Sequence, residues 1–237
     1  MTENLYFDDS YLKEFDATVV SVKDDKYVVL DRSAFYPLSG GQPHDEGTIT
    51  RVDDQEEFKL VFAGKFSGEI SHEVDKPGLK PGDKVYCVID WVRRYRLMQM
   101  HTSAHVVSTL NHEKTGALIN GNQLYVDKVR IDFNLETFDR EKFNEYIREA
   151  NEVLKRNMLV SVSYMDRDEA LKIPAMIKLA NALPPVVKNL RIVSIGDFDT
   201  QADGGTHVNN TSEVGNLKIV KLDNKGANNR RIYYTIE

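Results

Sequence analysis

The stretch 91-WVRRYRLMQMHTSAHVVSTLNHEKTG-116 marks the point at which the hydrophobic pattern of the chain changes its period. Helical spacing places one set of residues on a single face, namely Tyr95, Met98, His101 (or Thr102), His105 and Val106. Gly116 then follows as a residue suited to cap the helix. Because His101 and His105 are four residues apart, they would project from the same face. The stretch predicts a long helix that presents two imidazoles side by side.

The residues before this helix are predicted to form short strands. Val and Tyr are enriched in 17-ATVVSVKDDKYVVLD-31, which is typical of two strands around a polar turn. Further strand-like segments lie at 58–63, 68–74 and 84–90. Strands of this length and spacing favour a small β-barrel over residues 1–90. Within it, 35-FYPLSGGQPHDEGTI-49 is rich in Gly and Pro and is predicted to be a loop of defined shape.

The residues after the change of period mix helical and strand-like patterns. A second helix is predicted over 138–157, where apolar side chains from Phe143 to Leu154 form one stripe. Strand-like segments lie at 123–135, 159–165, 190–196, 217–223 and 231–237. Long helices beside an antiparallel sheet define an α+β domain. The sequence therefore predicts an α+β protein with a small β-barrel at 1–90 and an α+β domain at 91–237.

Composition places the chain among ordinary globular proteins. Hydrophobic residues make up 41% and charged residues 29% of the 237 residues, and no run approaches the ~18–20 apolar residues that a membrane helix needs. The N-terminus lacks the apolar segment of a signal peptide. A single cysteine, Cys87, excludes an intrachain disulfide. We therefore expect a cytoplasmic location.

The charge distribution bears on nucleic-acid binding. A net charge of −6 argues against a generic nucleic-acid binder, which is usually basic. Phosphate contacts nevertheless need only a local basic patch. Two clusters, 93-RRYR-96 and 225-KGANNRR-231, are candidates for such a patch. Either cluster could equally be solvated surface.

The histidines suggest a metal site. His101 and His105 on one helix face could bind one transition metal, and zinc is the usual occupant of such sites. Asp203 and His207, about a hundred residues downstream around a Gly-Gly-Thr sequence, could complete a set of three imidazoles and one carboxylate. The alternatives are a helix with two surface histidines and an Asx turn beside a third. A metallopeptidase is disfavoured, because its catalytic Glu would stand where this chain has Thr102.

Four segments, in order, resemble one known family. HTSAH and GGTHVNNTSEVG are similar to the paired metal motifs of the alanyl-tRNA synthetase editing domain. FYPLSGGQPHDEG resembles the glycine-rich loop of the free-standing relatives of that domain, the AlaX trans-editing proteins, and NNRRIYYTI resembles their final strand. The similarity covers nearly the whole chain and is to the medium-length form of the family. It implies hydrolysis of the ester in tRNA(Ala) mischarged with serine, with glycine as a further substrate.

The resemblance also implies roles for individual residues. One zinc ion per chain would be bound by His101, His105, the residue at 203 and His207. The family usually has Cys at that third position, whereas this chain has Asp203. A carboxylate remains a negative ligand but is harder than a thiolate, so Asp203 would either ligate directly, act on water at the metal, or leave the site poor in metal. Bound metal would either activate water or hold the amino group of the substrate.

The remaining expectations concern specificity and tRNA contact. Gln42, within the Gly-Gly-Gln match, and Ser33, the nearest hydroxyl residue, are expected to act in the catalytic site, with Ser33 reading the serine hydroxyl; Ser33 could equally be an ordinary residue at a strand end. The residues expected to contact tRNA phosphates are Arg93, Arg94, Arg230 and Arg231. The competing hypothesis is a non-catalytic relative that binds tRNA or metal without turnover.

Overall fold

The computed structural model describes residues 2–137, 139–173 and 187–237. These residues divide into two compact units, Met1–Arg96 and Leu97–Glu237. The predicted domain boundary at residue 90 stays a prediction. No helix among the described residues is long and apolar enough to cross a membrane.

The first unit is built around a closed barrel. Its six strands follow one another around the barrel in the order β2, β3, β7, β6, β5, β8, and every pairing is antiparallel. The strands of this unit are β1 (Glu3–Asn4), β2 (Glu14–Lys23), β3 (Tyr27–Leu30), β4 (Arg32–Ser33), β5 (Gly47–Arg51), β6 (Glu57–Phe66), β7 (Glu69–Val74) and β8 (Lys84–Ile89). Burial alternates along β7 and β8, because successive side chains of a strand point to opposite faces. The inward set forms one apolar core.

Two glycine positions in this unit have specific steric reasons. A Cβ on Gly47 would lie 2.2 Å from the carbonyl oxygen of Val88 on the neighbouring strand, so a side chain there would force the strands apart. Gly40 and Gly41 have φ of +58° and +85°, which glycine adopts without cost. They form a tight turn closed by backbone hydrogen bonds between Ser39 and Gln42. The predicted loop of defined shape is therefore a glycine turn.

A buried ion pair fixes the chain that follows this turn. The Arg94 side chain is fully buried and donates to both carboxylate oxygens of Asp45 and to the carbonyl oxygens of Ser10 and Ala34. Asp45 also accepts a hydrogen bond from the Tyr36 backbone N–H at 2.6 Å. Buried charges are tolerated only when they are paired and hydrogen-bonded. The pair therefore ties the first turn of the long helix to the barrel loop.

We predict that Asp45→Ala lowers the free energy of unfolding of this unit by about 3–5 kcal/mol, because it leaves the buried Arg94 charge unpaired. Denaturant unfolding would measure the loss. Asp54→Ala is the matched control, since Asp54 is exposed and its partner Arg51 keeps Glu56 as a second partner. Equal losses in the two variants would contradict the prediction.

The second unit consists of two antiparallel sheets and helices. A four-stranded sheet has the order β14, β15, β10, β9, and a three-stranded sheet has the order β11, β12, β13. The strands are β9 (Ile119–Leu124), β10 (Val129–Phe133), β11 (Val160–Asp166), β12 (Asn189–Ile195), β13 (Asp199–Ala202), β14 (Leu217–Asn224) and β15 (Arg230–Ile236). The α-helices among the described residues are α1 (Trp91–Thr115), α2 (Arg140–Leu154) and α3 (Arg167–Ala170).

Helix α1 contacts both sheets of this unit. The Ser103 hydroxyl lies 3.0 Å from the Tyr234 hydroxyl on β15, and Thr109 donates to Asp199 on β13 at 2.9 Å. The helix stops where it was predicted to stop, because Gly116 has a φ of +73° and returns its N–H to the carbonyl oxygen of His112. These contacts place Ser103 against the four-stranded sheet and Thr109, about two turns further along α1, against the three-stranded sheet.

The second helix confirms the predicted stripe and is shorter at both ends. Asp139 caps α2 by accepting hydrogen bonds from the backbone N–H groups of Glu141 and Lys142, as side chains at this position do. The residues that α2 buries are Phe143, Ile147, Ala150, Val153 and Leu154. Asn151 bonds through its amide to both backbone groups of Leu217 on β14. The apolar stripe therefore faces the four-stranded sheet.

The fold class predicted from the sequence is confirmed. The closed barrel and the α+β arrangement of long helices with antiparallel sheets are both present. Five of the labelled elements were not predicted, namely β5, β13, β1, β4 and α3. The first two are four or five residues long and lie beside glycine-rich or acidic turns, where the pattern is too short to show a period of two.

Candidate metal centre

Helix α1 supplies the first two histidines of the cluster. His101 and His105 are both buried, and their ring centroids are 5.2 Å apart. One helical turn between them explains the shared direction. The predicted arrangement of two imidazoles on one face is therefore present.

The loop after β13 supplies the other two groups. Asp203 donates its backbone N–H to the carbonyl oxygen of Arg191, and the Arg191 guanidinium returns a hydrogen bond of 3.0 Å to the carbonyl oxygen of Asp203. The Gly205 N–H then donates to Asp203 Oδ1 at 2.6 Å, which closes an Asx turn. His207 follows this turn and is buried. The Asx turn and two of the predicted metal ligands, Asp203 and His207, therefore lie in the same loop.

The four side chains converge on one point. The Nε2 atoms of His101, His105 and His207 lie 3.5, 3.8 and 3.1 Å from the carboxylate oxygens of Asp203. One ligand atom from each residue lies within 4.8 Å of all the others. Ligands at ~2.1 Å from a tetrahedrally bound ion are roughly 3.4 Å apart. The three distances to Asp203 lie near this value, so the donor set could hold a metal ion.

Further residues orient two of the imidazoles. His105 Nδ1 donates to Asp199 Oδ2 at 2.9 Å, and the fully buried Asp199 side chain also accepts from Thr109 and Gln201. His207 Nδ1 lies 3.1 Å from the Thr102 hydroxyl, which accepts the Val208 N–H. Binding Nδ1 in this way leaves Nε2 to face the centre. Histidines that bind metals are held in the same manner.

Electrostatics favour a positive charge at the centre. Burial lowers the pKa of His207 to about 4 and that of His101 well below its usual range, so both rings are neutral. Burial also acts to lower the pKa of His105, but hydrogen bonds to Asp199 and Asp203 raise it to about 9. The pKa of Asp203 is well below its usual range, because the neighbouring histidines, His101 foremost, outweigh the effect of burial. Two neutral imidazoles and an ionised carboxylate are therefore ready to bind a cation, whereas His105 must release its proton to do so.

The residues expected to act on the substrate lie in the first unit. Ser33 and Gln42 are both fully buried. His72 Nδ1 faces the carbonyl oxygen of Val28 at 3.0 Å, and burial lowers its pKa to about 4, so this nitrogen carries the proton. The Ser33 hydroxyl, 2.8 Å from His72 Nε2, is therefore the donor of that bond. Its oxygen also accepts the Phe35 N–H at 3.2 Å. The hydrogen-bonding capacity of Ser33 is largely used within the barrel.

The four arginines expected to meet phosphates all have partners within the protein. Arg94 pairs with Asp45 as described, and Arg230 is buried and donates to a ring of backbone carbonyl oxygens. Arg93 bonds the carbonyl oxygen of His44 and lies 3.3 Å from Glu46. Arg231 makes a two-pronged contact with Asp132. The expectation of a basic surface patch is therefore revised: Arg94 and Arg230 are enclosed, and only Arg93 and Arg231 are partly exposed.

Sequence analysis missed the residues that support the cluster. Asp199 lies in the acidic segment 196–200, to which no role was assigned, and Thr102 was noted only as the position that lacks Glu. No sequence motif marked Arg191 as a residue of the site, since it lies within the strand-like segment 190–196. The segment 199–202 reads Asp-Thr-Gln-Ala, which is too short and too polar to show the alternation of a strand, so no pattern marked Asp199.

Comparisons with known proteins agree with this geometry. The family model of the threonyl and alanyl tRNA synthetase second additional domain matches residues 190–233, and that of the class II (A) tRNA synthetases matches residues 8–93. The first match contains Asp199, Asp203 and His207. The chain is thus built from modules of the kind found in alanyl and threonyl tRNA synthetases.

Full-length relatives make the assignment more specific. The alanyl-tRNA editing protein AlaX-M of Methanosarcina acetivorans is 50% identical over 100% of this chain and 99% of its own length. The AlaX-M protein of Saccharolobus solfataricus is 42% identical over the full length of both. The alanine–tRNA ligase of Pyrococcus furiosus is 37% identical over 94% of this chain, which corresponds to 24% of the ligase. The chain belongs to the AlaX-M family of alanyl-tRNA editing proteins, which confirms the resemblance seen in its motifs.

We predict that Asp199→Asn weakens binding of a divalent transition metal by about 10–100-fold, because the neutral amide no longer fixes His105 through a charged acceptor. Titration with Co²⁺ against a chelator, followed by its visible absorption, would measure the affinity. Asp197→Asn, at an exposed position in the same turn, is the control and should bind as the unaltered protein does. An unchanged affinity for Asp199→Asn would exclude the orienting role.

Proposed function

We propose that this protein hydrolyses the ester of tRNA(Ala) mischarged with serine, and more weakly with glycine. The observation that carries the proposal is the buried cluster of three imidazoles and one carboxylate. It occurs in a chain whose relatives are named alanyl-tRNA editing proteins. An aminoacyl ester is already activated, so its hydrolysis needs a positioned water and stabilisation of the developing oxyanion. A compact polar cluster in an otherwise buried setting can supply both.

We further propose that the cluster holds one zinc ion. His101, His105, Asp203 and His207 would be its ligands, since nitrogen and carboxylate donors at this spacing suit zinc. Bound zinc would supply a Lewis acid that polarises the ester or activates water. The chain itself keeps His101 and His207 neutral by burial, holds His105 through Asp199 and His207 through Thr102, and holds Asp203 through its Asx turn. These contacts set the donor atoms before any substrate binds.

Substrate discrimination is assigned to the barrel unit. We propose that Gln42, held by the Gly40–Gly41 turn, contributes to the catalytic site. Ser33 is kept as the proposed reader of the serine hydroxyl, and a hydrogen-bonding group can in principle separate serine from alanine well. Its bond to His72 is a competing demand on the same hydroxyl. The role of Ser33 is therefore the part of the proposal that most needs a direct test.

We propose that tRNA is contacted through phosphate by Arg93 and Arg231. Both guanidiniums are partly exposed, at 21% of the side chain each. Arg94 and Arg230, also expected to contact tRNA from the sequence, are assigned structural roles because they are buried. Phosphate contacts position a nucleic acid without reading its sequence, so we expect weak binding that falls with salt.

We predict that the zinc-loaded protein releases serine from Ser-tRNA(Ala) and leaves Ala-tRNA(Ala) intact. Chelation, His101→Ala and His207→Ala should each abolish release while the far-ultraviolet circular dichroism stays unchanged. His112→Ala is the matched control, because His112 lies on the same helix outside the cluster, with its Nδ1 atom 3.1 Å from the carbonyl oxygen of Ala117 at the helix end. Turnover that persists in metal-free protein would refute the role of the metal.

Failure of release with tRNA binding intact would favour the competing hypothesis of a non-catalytic relative. Asp203→Cys restores the residue that the family usually carries and separates the two explanations. Turnover gained in Asp203→Cys would show that the carboxylate is what silences the site. Absence of turnover in both proteins would place the defect elsewhere.

We predict that Ser33→Val reduces the preference for Ser-tRNA(Ala) over Ala-tRNA(Ala), if Ser33 reads the substrate hydroxyl. The same variant leaves His72 without its donor and should cost about 1–3 kcal/mol of stability. Thr48→Val, at a half-buried position of β5, is the control for a hydroxyl removed from the barrel. Lower stability with unchanged discrimination would assign Ser33 to the barrel alone.

A further inference from the structure

The four-stranded sheet of the second unit has a buried face and an outer face. Buried and half-buried residues alternate along β15, because successive side chains of a strand point to opposite faces. Tyr234, whose hydroxyl meets Ser103 of α1, lies on the buried face. Arg231 and Tyr233 therefore lie on the outer face.

The strand register places a cation on each side of Tyr233. Arg130 on β10 and Lys221 on β14 lie directly opposite this residue in the two neighbouring ladders. Residues directly opposite in a ladder share a face. Neighbouring strands are about 4.8 Å apart, so the backbones of Arg130 and Lys221 are about 10 Å apart across the row. The outer face thus carries a row of guanidinium, phenol and ammonium groups.

The next row along the strands is held together by ion pairs. Asp132 and Asp223 lie opposite Arg231 on its two sides. The Arg231 guanidinium makes a two-pronged contact with Asp132, and its Nη1 atom donates to the Tyr233 hydroxyl at 3.3 Å. The phenol oxygen is therefore an acceptor for Arg231, and its own hydrogen can be donated to a ligand.

Arg130 has hydrogen-bonding capacity to spare. Within the described residues its guanidinium makes no hydrogen bond, and its ion pair with Asp132 is a long contact of 3.8 Å. The Asp132 carboxylate is already bound by Arg231. Of the three nitrogen atoms of Arg130, only Nε is buried without a partner, so both Nη groups reach solvent. These groups can bind a ligand at the surface.

The cations of this face project further than most of its carboxylates. The Lys221 side chain is 63% exposed, whereas those of Asp223 and Asp132 are 17% and 8% exposed. Lys218, further along β14, is 65% exposed and pairs with the half-exposed Glu237. Long stems carry the positive charges above the short aspartates. A ligand that approaches the two rows therefore meets ammonium and guanidinium groups first.

We propose that this outer face binds the phosphate backbone of tRNA, with Arg130 and Lys221 as phosphate contacts on either side of Tyr233. The inference rests on the proposed function, in that the substrate is a tRNA. Guanidinium, ammonium and phenol groups are donors that bind phosphate oxygens. Two cations about 10 Å apart suit an extended polyanion better than one small anion. The face differs in charge from the chain as a whole, whose net charge is −6.

The test measures binding of a tRNA(Ala) transcript to the metal-loaded full chain at several salt concentrations. Arg130→Gln and Lys221→Gln should each weaken binding and reduce the slope of log Kd against log salt by about one, because each removes one phosphate contact. Lys155→Gln is the matched control, since Lys155 is 66% exposed in the same unit and has a similar ion pair, with Glu152. It should bind as the unaltered protein does.

Removal of a competing carboxylate should have the opposite effect. Asp223 lies 2.9 Å from the Lys221 ammonium, so Asp223→Asn should release the lysine and lower the dissociation constant for tRNA about two- to fivefold, the strength of an exposed ion pair. Glu152→Gln makes the same change of charge beside Lys155 and should leave binding unchanged. A gain in affinity also excludes loss of folding as its cause.

A substrate without the tRNA body separates binding from chemistry. Arg130→Gln should raise KM for Ser-tRNA(Ala) and leave kcat unchanged. Its hydrolysis of O-seryladenosine should equal that of the unaltered protein, because this ester has no phosphate. Calorimetry with inorganic phosphate as the ligand distinguishes a site for a small anion from a surface for RNA.

The outcomes separate this inference from the function on which it rests. A protein that hydrolyses neither ester would refute the proposed function, whereas the tRNA affinities would still test this face. Equal affinities and salt slopes for Arg130→Gln, Lys221→Gln and Lys155→Gln would overturn the tRNA surface alone. Phosphate binding that is lost in Arg130→Gln while tRNA binding is unchanged would assign the row to a small anion. A changed oligomeric state with unchanged tRNA binding would assign it to contact between copies, and either result would overturn the proposal.

Discussion

The antiparallel register between β12 and β13 is the constraint on which the candidate metal centre depends. It pairs Ile195 with Asp199 and continues until Asp203 bonds Arg191. Asp199 and Asp203 therefore emerge on the same face, four residues apart. One carboxylate orients a histidine of α1 and the other enters the cluster. A slip of one residue would turn both away, because the side-chain period of a strand is two.

Burial and hydrogen bonding act in opposite directions on the three imidazoles. His101 and His207 are kept neutral by burial, whereas His105, with two carboxylate partners, retains affinity for a proton. The difference arises from position alone, since the three residues are chemically identical. His105 also joins the helix to the sheet, because its ring bonds Asp199 on β13. Thr109, on the same helix, bonds the other carboxylate oxygen of Asp199. The centre is thus part of the packing of this unit and not an addition to its surface.

The outline of the fold and the four cluster residues could be predicted from the sequence, whereas their surroundings could not. His101 and His105 follow from helical spacing, and His207 and Asp203 from a short turn that resembles a known motif. Asp199 and Thr102 matter only through the atoms they bond, and nothing in one sequence relates Asp199 to a helix ninety residues earlier. The burial of basic side chains was also not predictable from the sequence. The sequence showed basic pairs at 93–94 and 230–231, but one member of each pair is enclosed by carbonyl or carboxylate oxygens.

The carboxylate at position 203 has a consequence for chemical durability. A thiolate in a metal cluster is a site of oxidation, and its loss to a sulfenic or sulfinic acid removes the ligand. This chain has a single cysteine, Cys87, which is fully enclosed in the barrel, where burial raises the pKa of its thiol and keeps it protonated. Reactivity towards peroxide follows thiolate character and access. Oxidants that inactivate thiolate-bound centres would therefore find no exposed sulfur ligand to attack in this one.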